Sequence, residues 1–361
     1  MNQSIIFKIS KDEFTKTEFT QKEFPTLQEG QILLEIYKFA FTANNITYVN
    51  LGESVGYWNF FPEKDNWGVV PVWGFGKVIE SKNENIPIGE KFYGYYPTAS
   101  HVVLNPNNVK ENGFVDSSEH RSKLPSLYNY YSNVQNDTLY TEDTENIQLI
   151  YRPLFTTAFL IKEMILSNKI YNAKSILLTS ASSKTGLALA DLLFYNRNKD
   201  FSFDIIGLTS ERNLNFIKNL EYFQNVFHYK KIDAIPKEDV CIIDFSGNKN
   251  ILSELNSHFG EKLKFLSLVG MVHWEEKLDK QDSINGTVFF APTQIKKTMK
   301  ELGPKNFQKN LSDEYNQFIH KTKDWIQFEE INNAEKFKEL YLNILSGKTS
   351  PEKGYIVSLN K

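Results

Sequence analysis

The run Ile176-Leu177-Leu178-Thr179-Ser180-Ala181-Ser182-Ser183-Lys184-Thr185-Gly186 sets small hydroxyl side chains, one lysine and one glycine directly after a short apolar stretch. Leu187, Ala190, Leu193 and Phe194 then recur at helical spacing, so the order reads buried strand, tight turn, helix. The chemistry such a turn serves is anion binding, because the unpaired N–H groups and the positive dipole end of the helix point over the strand's end. A dinucleotide turn normally reads G-x-G-x-x-G, and here only Gly186 is kept. Ser180 and Ser183 stand where glycine would let the backbone approach. The hydroxyls of Ser180, Ser182, Ser183 and Thr185 can donate to phosphate, and Lys184 adds a point charge at the start of a helix beginning about Thr185. The competing reading is a decayed turn that binds nothing. A Walker P-loop is excluded, since Lys184-Thr185 lacks the glycines of its phosphate cradle.

The end of the second predicted strand, Thr209-Ser210-Glu211-Arg212, bears on cofactor choice. A carboxylate there suits the ribose diol of NAD, whereas two hydroxyls and a guanidinium suit a 2′-phosphate, so Thr209, Ser210 and Arg212 point to NADP(H) unless Glu211 faces the ribose or Arg212 lies on an exposed helix face. Phe245 and Gly270, at the ends of later strands, reach the same crevice. In the first third, Asn44 and Asn45 precede Tyr48 in an aromatic segment that continues to Phe61. The amide pair either caps a helix or holds a ligand's polar group, and the aromatics read first as core.

Residues 1–115 alternate at period two over Ile32 to Ile36, Val69 to Val72, Lys77 to Glu80, Lys91 to Tyr95 and His101 to Leu104, which predicts a small β-barrel or sandwich. Residues 116–150 are rich in Ser, Asn, Asp and Glu and read as a lid or a flexible excursion. A buried helix is expected over Phe155 to Ser167. Strands over Phe203 to Leu208, Val226 to His228, Val240 to Asp244, Lys264 to Val269 and Thr287 to Phe290 alternate with helices over Glu211 to Tyr222 and Lys249 to Phe259, the signature of a doubly wound parallel sheet. Helices over Asp313 to Ile326 and Ala334 to Leu345 precede a last strand, Gly354 to Ser358, that needs a host sheet. The fold class is therefore α/β: a strand-rich domain over 1–150, a dinucleotide-binding domain over 151–300, and a segment over 301–361 returning to the first.

The 361 residues suffice for two domains with real cores. A net charge of -3 gives no footprint for nucleic acid or an anionic membrane surface. No apolar run approaches the ~20 residues that span a bilayer, and no secretory h-region stands at the N-terminus, which predicts a cytoplasmic protein. Cys241 is the sole cysteine and lies in the apolar run Val240 to Ile243, so it reads as a core residue, and neither a disulfide nor a cysteine-based zinc site can form within the chain.

Taken in order, Leu27-Gln28-Glu29-Gly30, Ile88-Gly89-Glu90-Lys91-Phe92, the turn at Ser180 to Gly186, Asp244-Phe245-Ser246-Gly247, Leu268-Val269-Gly270 and Gly354-Tyr355-Ile356-Val357 resemble the medium-chain dehydrogenases/reductases. Ala43-Asn44-Asn45-Ile46-Thr47-Tyr48, Val72-Trp73-Gly74-Phe75 and Val269-Gly270-Met271-Val272-His273-Trp274-Glu275 look like a branch of that superfamily filed as a domain of unknown function. The resemblance implies a GroES-like barrel with a Rossmann domain and an active cleft between them. The missing zinc ligands liken the chain to the zinc-free quinone and enoyl reductases. On that footing the expected function is a zinc-independent, NADPH-dependent reductase of a small-molecule carbonyl or activated C=C substrate, compatible with a homodimer. Tyr48 is the first candidate proton donor, Asn44 or Asn45 polarises the substrate oxygen, and His273 is the second candidate acid or base. The alternative is a non-catalytic Rossmann protein for ligand sensing or assembly.

Overall fold

The computed structural model describes residues 3–197, 202–269 and 286–360, and divides them into two units. The first comprises 1–150, 326–349 and 353–361; the second comprises 151–325 and 350–352.

In the first unit the period-two pattern becomes a nine-stranded sheet. Its path runs Gln327–Ile331, Lys353–Val357, Ile32–Ala40, Pro71–Ser81, Lys91–Pro97, Tyr130–Asn133, Gly113–Asp116 and Pro106–Lys110, with His101–Leu104 paired to Ile32–Ala40. Gln3–Ser10, Thr17–Glu23 and Trp67–Gly68 form a second, three-stranded sheet. The inward residues Ile32, Leu34, Ile36 and Phe39 join Phe7, Phe92, Phe337 and Tyr341 in one core. The terminal strand finds its host here, pairing antiparallel with Ile32–Ala40.

The polar stretch 116–150 is not a flexible excursion. Its strand Tyr130–Asn133 pairs with both Gly113–Asp116 and Lys91–Pro97. Its organiser is Arg121, which is 1% exposed and donates to Asp116 (3.1 Å), Asn129 (2.9 Å), the Tyr131 hydroxyl (2.8 Å) and the Tyr128 carbonyl (2.6 Å). The Tyr131 ring lies so close to its neighbour strand that a Cβ on Gly94 would stand 2.3 Å from it. The amides and hydroxyls that read as solvated are thus the shell of a buried guanidinium.

The long helix also starts earlier than its apolar run suggests. It spans Glu145–Ser167 and passes through Pro153, because Glu145 is anchored by Tyr37, Tyr140 and Lys38 at its first turn.

In the second unit six strands, Asn225–His228, Asp204–Thr209, Ser175–Thr179, Val240–Asp244, Leu263–Leu268 and Thr287–Val288, pair in that order, all parallel. Numbered along the chain this is 3-2-1-4-5-6, the doubly wound order of a Rossmann sheet, and its direction reverses between Ser175–Thr179 and Val240–Asp244. Leu177, Ile206, Ile242 and Leu266 face helix residues Leu252, Leu255 and Phe259 in its core. Cys241 is buried in the sheet, and burial pushes its thiol pKa well up.

Two helical expectations change. The segment after the second strand is a short turn, Glu211–Asn213, followed by Leu214–Asn219. The helix expected over Asp313 to Ile326 spans Pro304–Thr322 and stays with the second unit, where Phe307 meets Phe159 and Phe318 meets Tyr151 and Phe155. The return to the first unit therefore begins at Ile326, not near residue 301. Apolar anchors every three to four residues on Pro304–Thr322 decide this, and Lys162, 2% exposed, seals the contact with Glu314 at 2.8 Å.

Candidate functional site

The turn after Ser175–Thr179 is built from its own side chains. Ser183 caps the helix Lys184–Asn196, which begins one residue before the expected start, by accepting from the Gly186 N–H at 3.1 Å. A Cβ on Gly186 would stand 2.9 Å from the Ser183 hydroxyl and 3.1 Å from the Ser180 carbonyl, so this one glycine is kept for close packing. Ser180 takes φ +45°, the left-handed region that a glycine would occupy without strain. Its N–H donates to the Tyr229 hydroxyl at 3.0 Å. Thr185 lies half-buried in the first helical turn.

Lys184 corrects the expectation of an exposed phosphate ligand. It is half-buried, its Nζ donates to the Pro351 carbonyl at 2.7 Å, and burial pushes its pKa down to about 8 against the pull of Glu352.

At the end of the second strand, Ser182 and Thr209 share a hydrogen bond of 2.9 Å, and Asn213 donates to Ser182 at 2.8 Å. The Ser210 hydroxyl is buried without a partner among the described residues. Arg212 and Glu211 are both exposed in the same short turn, so either can face a ribose. The fourth strand ends in Asp244, fully buried, whose carboxylate accepts from the Thr179 hydroxyl, from Ser246 through N–H (3.1 Å) and hydroxyl (2.6 Å), and from the Gly247 N–H at 3.0 Å. The Phe245 N–H donates to the Thr179 hydroxyl at 3.0 Å. Asp244 thereby fixes both loops that diverge where the sheet order reverses. Gly270 and His273 lie outside the described residues.

In the first unit, Thr42 and Asn45 form a capping box for the helix Ala43–Asn50. Asn45 accepts from the Thr42 N–H at 2.8 Å and donates to the Pro71 carbonyl at 3.0 Å, so its buried amide is spent on structure rather than on a substrate oxygen. Asn44 points its amide at Tyr48 instead, donating to the phenol oxygen at 2.7 Å. Tyr48 is buried against Tyr57 (centroids 4.6 Å apart) and Tyr95 (5.7 Å), and burial raises its pKa far above the usual phenol value. Tyr95 Oη and Trp73 Nε1 face the same hydroxyl without reaching hydrogen-bond geometry. Because the phenol oxygen accepts from Asn44, its own proton can be given elsewhere. Tyr128, from the polar stretch, packs on Tyr95 at 4.7 Å, and Arg121 holds its backbone.

The structure therefore gathers Ser182 with Thr209, and Asn44 with Tyr48, and diverts Asn45 and Lys184. Sequence reasoning missed Asn213, Tyr229 and the holding role of Asp244; for Tyr229 and Asp244 the position at a strand end was the available signal.

A family profile described as "Protein of unknown function (DUF2855)" matches residues 39–350. The chain belongs to this family. No curated protein matches the sequence. Among solved structures the chain is similar to the quinone oxidoreductase from Coxiella burnetii, with 14% identity, a TM-score of 0.56, and coverage of 99% of this chain and 100% of that one. It is similar to CurA from Vibrio vulnificus in complex with NADPH, at 12% identity and TM-score 0.56 over 99% of both chains. It is also similar to the CurF ER cyclopropanase from the curacin A biosynthetic pathway, at 12% identity and TM-score 0.60 over 99% of both. At identities this low the structural likeness shows the fold alone: a GroES-like strand-rich domain and a Rossmann domain, as the sequence resemblance implied. No helix among the described residues is long and apolar enough to cross a membrane.

Proposed function

We propose that the protein is a zinc-independent, NADPH-dependent reductase of a small-molecule carbonyl or activated C=C bond. The observation that carries this reading is the 3-2-1-4-5-6 sheet, with the start of Lys184–Asn196 following directly on its first strand, at the strand ends where such sheets bind nucleotides. The residues present fit a dinucleotide. The turn from Ser180 to Gly186 keeps a left-handed first residue and a capped helix start for the pyrophosphate, and Ser182, Thr209 and Asn213, with Ser210 and Arg212, supply hydroxyl, amide and guanidinium groups for a ribose 2′-phosphate. Bound NADPH supplies a hydride. Tyr48 then gives its proton to the developing oxyanion, and Asn44 orients the phenol for that transfer. His273 is the second candidate donor. The names of the similar structures, a quinone oxidoreductase and an NADPH complex, support the reductase class. Among the described residues no group of three or more His, Cys, Asp or Glu side chains is placed to hold a metal ion.

The test is NADPH titrated into the purified protein and followed by fluorescence, then turnover of a panel of enones, quinones and aldehydes. Tyr48→Phe should leave NADPH binding intact and lower kcat by about 10²- to 10⁴-fold, the usual contribution of a general acid. A protein that binds neither NADPH nor NADH at millimolar concentration leaves only the fold. One observation favours the non-catalytic reading, a ligand sensor: the Ser180 N–H and the Lys184 ammonium both donate within the protein. That reading expects no turnover of any substrate in the panel.

A further inference from the structure

Ser180 is the first residue after the central strand, and it holds φ +45° although it carries a side chain. Such a conformation persists only when its surroundings over-determine it. The side chain that meets Ser180 here is Tyr229. Tyr229 follows the third strand, Asn225–His228, and reaches past the end of the second strand, so that its hydroxyl accepts from the Ser180 N–H at 3.0 Å and stands 3.3 Å from the Ser180 hydroxyl. The Tyr229 side is itself fixed, since His228 Nδ1 accepts from the Lys230 N–H at 3.1 Å and starts the tight stretch Tyr229–Ala234. Burial raises the Tyr229 pKa, so the phenol is neutral and protonated around pH 7. Ser180 in turn sets the helix start, because its carbonyl accepts from the Ser183 N–H at 2.7 Å and Ser183 is the cap.

We propose that Tyr229 is a positioning residue that stands in for the missing glycine of the turn: its hydroxyl holds Ser180 in the left-handed conformation and, through Ser183, keeps the start of Lys184–Asn196 shaped for a phosphate. The functional half of this inference rests on the nucleotide reading above; the conformational half does not. It also assigns the Ser180 N–H to the protein, so an anion is met by the first turn of the helix and not by the residue that opens the turn.

The experiment is a mutant cycle on the full-length protein: Tyr229→Phe made in the parent, in Ser180→Gly and in Ser180→Ala, each read by the NADPH dissociation constant and by the urea midpoint. In the parent and in Ser180→Ala, which keeps a Cβ, Tyr229→Phe should weaken NADPH at least five-fold and lower the midpoint. In Ser180→Gly, whose backbone needs no support, the same change should alter affinity less than two-fold and leave the midpoint within error. Equal losses in all three backgrounds would show that Tyr229 contacts the ligand or the core directly, and would overturn the proposal, as would the absence of any effect in the parent. If the parent binds no NADPH, the reductase reading fails, yet the midpoints still decide: rescue by Ser180→Gly upholds the conformational role and additive losses refute it.

Discussion

Lys184 gives the sharpest physical test of the turn. Its ammonium is half-buried against the Pro351 carbonyl, and burial lowers its pKa from 10.5 to about 8. Because the folded value lies below the unfolded one, the unfolded chain holds a proton between pH 8 and 10.5 that the folded protein has shed, so stability must rise with pH through that window. The drop corresponds to about 3 kcal/mol, of which roughly 2.5 is regained between pH 7 and pH 10. Lys184→Met removes both the charge and the bond to Pro351. At pH 7 the relief of desolvation, about 3 kcal/mol, is offset by an unsatisfied carbonyl costing about 1 to 3 kcal/mol, so parent and variant should unfold within about 2 kcal/mol of each other. At pH 10 the parent should have gained about 2.5 kcal/mol on the variant. Buried tyrosines with raised pKa values lose stability as pH climbs past 10, but they do so in both proteins and cancel in the difference. Urea unfolding of both proteins at pH 7, 8.5 and 10 reads this directly. A difference flat to within about 0.5 kcal/mol across that range would refute a desolvated lysine and restore the picture of an exposed one.

Arg121→Ala should cost about 3 to 5 kcal/mol, because it strands the carboxylate of Asp116, whose side chain is fully buried, and frees Tyr128 and Tyr131; thermal unfolding indistinguishable from the parent's would remove Arg121 from its place as organiser of residues 116–133. Lys169 opens a run of four non-glycine residues, Lys169 to Asn172, with φ between +50° and +59°, so Lys169→Gly should stabilise by about 1 kcal/mol. A lower unfolding midpoint for that variant would mean that the left-handed turn carries no strain at this position.

Much of the second unit was legible in the sequence. Ser175–Thr179 and Val240–Asp244 carry the continuous apolar runs Ile176 to Leu178 and Val240 to Ile243, as parallel strands buried on both faces do, and Ser183 ahead of Gly186 and Leu187 marked the helix start to within one residue. The period-two run at Ile32 to Ile36 and the need of the last strand for a host placed the first sheet in the same way. Hydrophobic period reports which face of an element is buried, and that is a local property. It does not report what a polar side chain will meet. Residues 116–150 read as solvated because their Ser, Asn and Asp side chains could not be connected in advance to a guanidinium sealed at Arg121. Asn44 and Asn45 are adjacent and chemically identical, yet one turns its amide to Tyr48 and the other to Thr42 and Pro71, a choice made by helix phase and by the strand Pro71–Ser81 beside it. Lys184 is set by a carbonyl 167 residues away, and Ser180 by a phenol 49 residues away. Local periodicity thus placed most of the strands and the turn, whereas the donors and acceptors that the turn spends on itself were set by the packed fold, because hydrogen-bond partners are chosen by proximity in space once the apolar faces have packed.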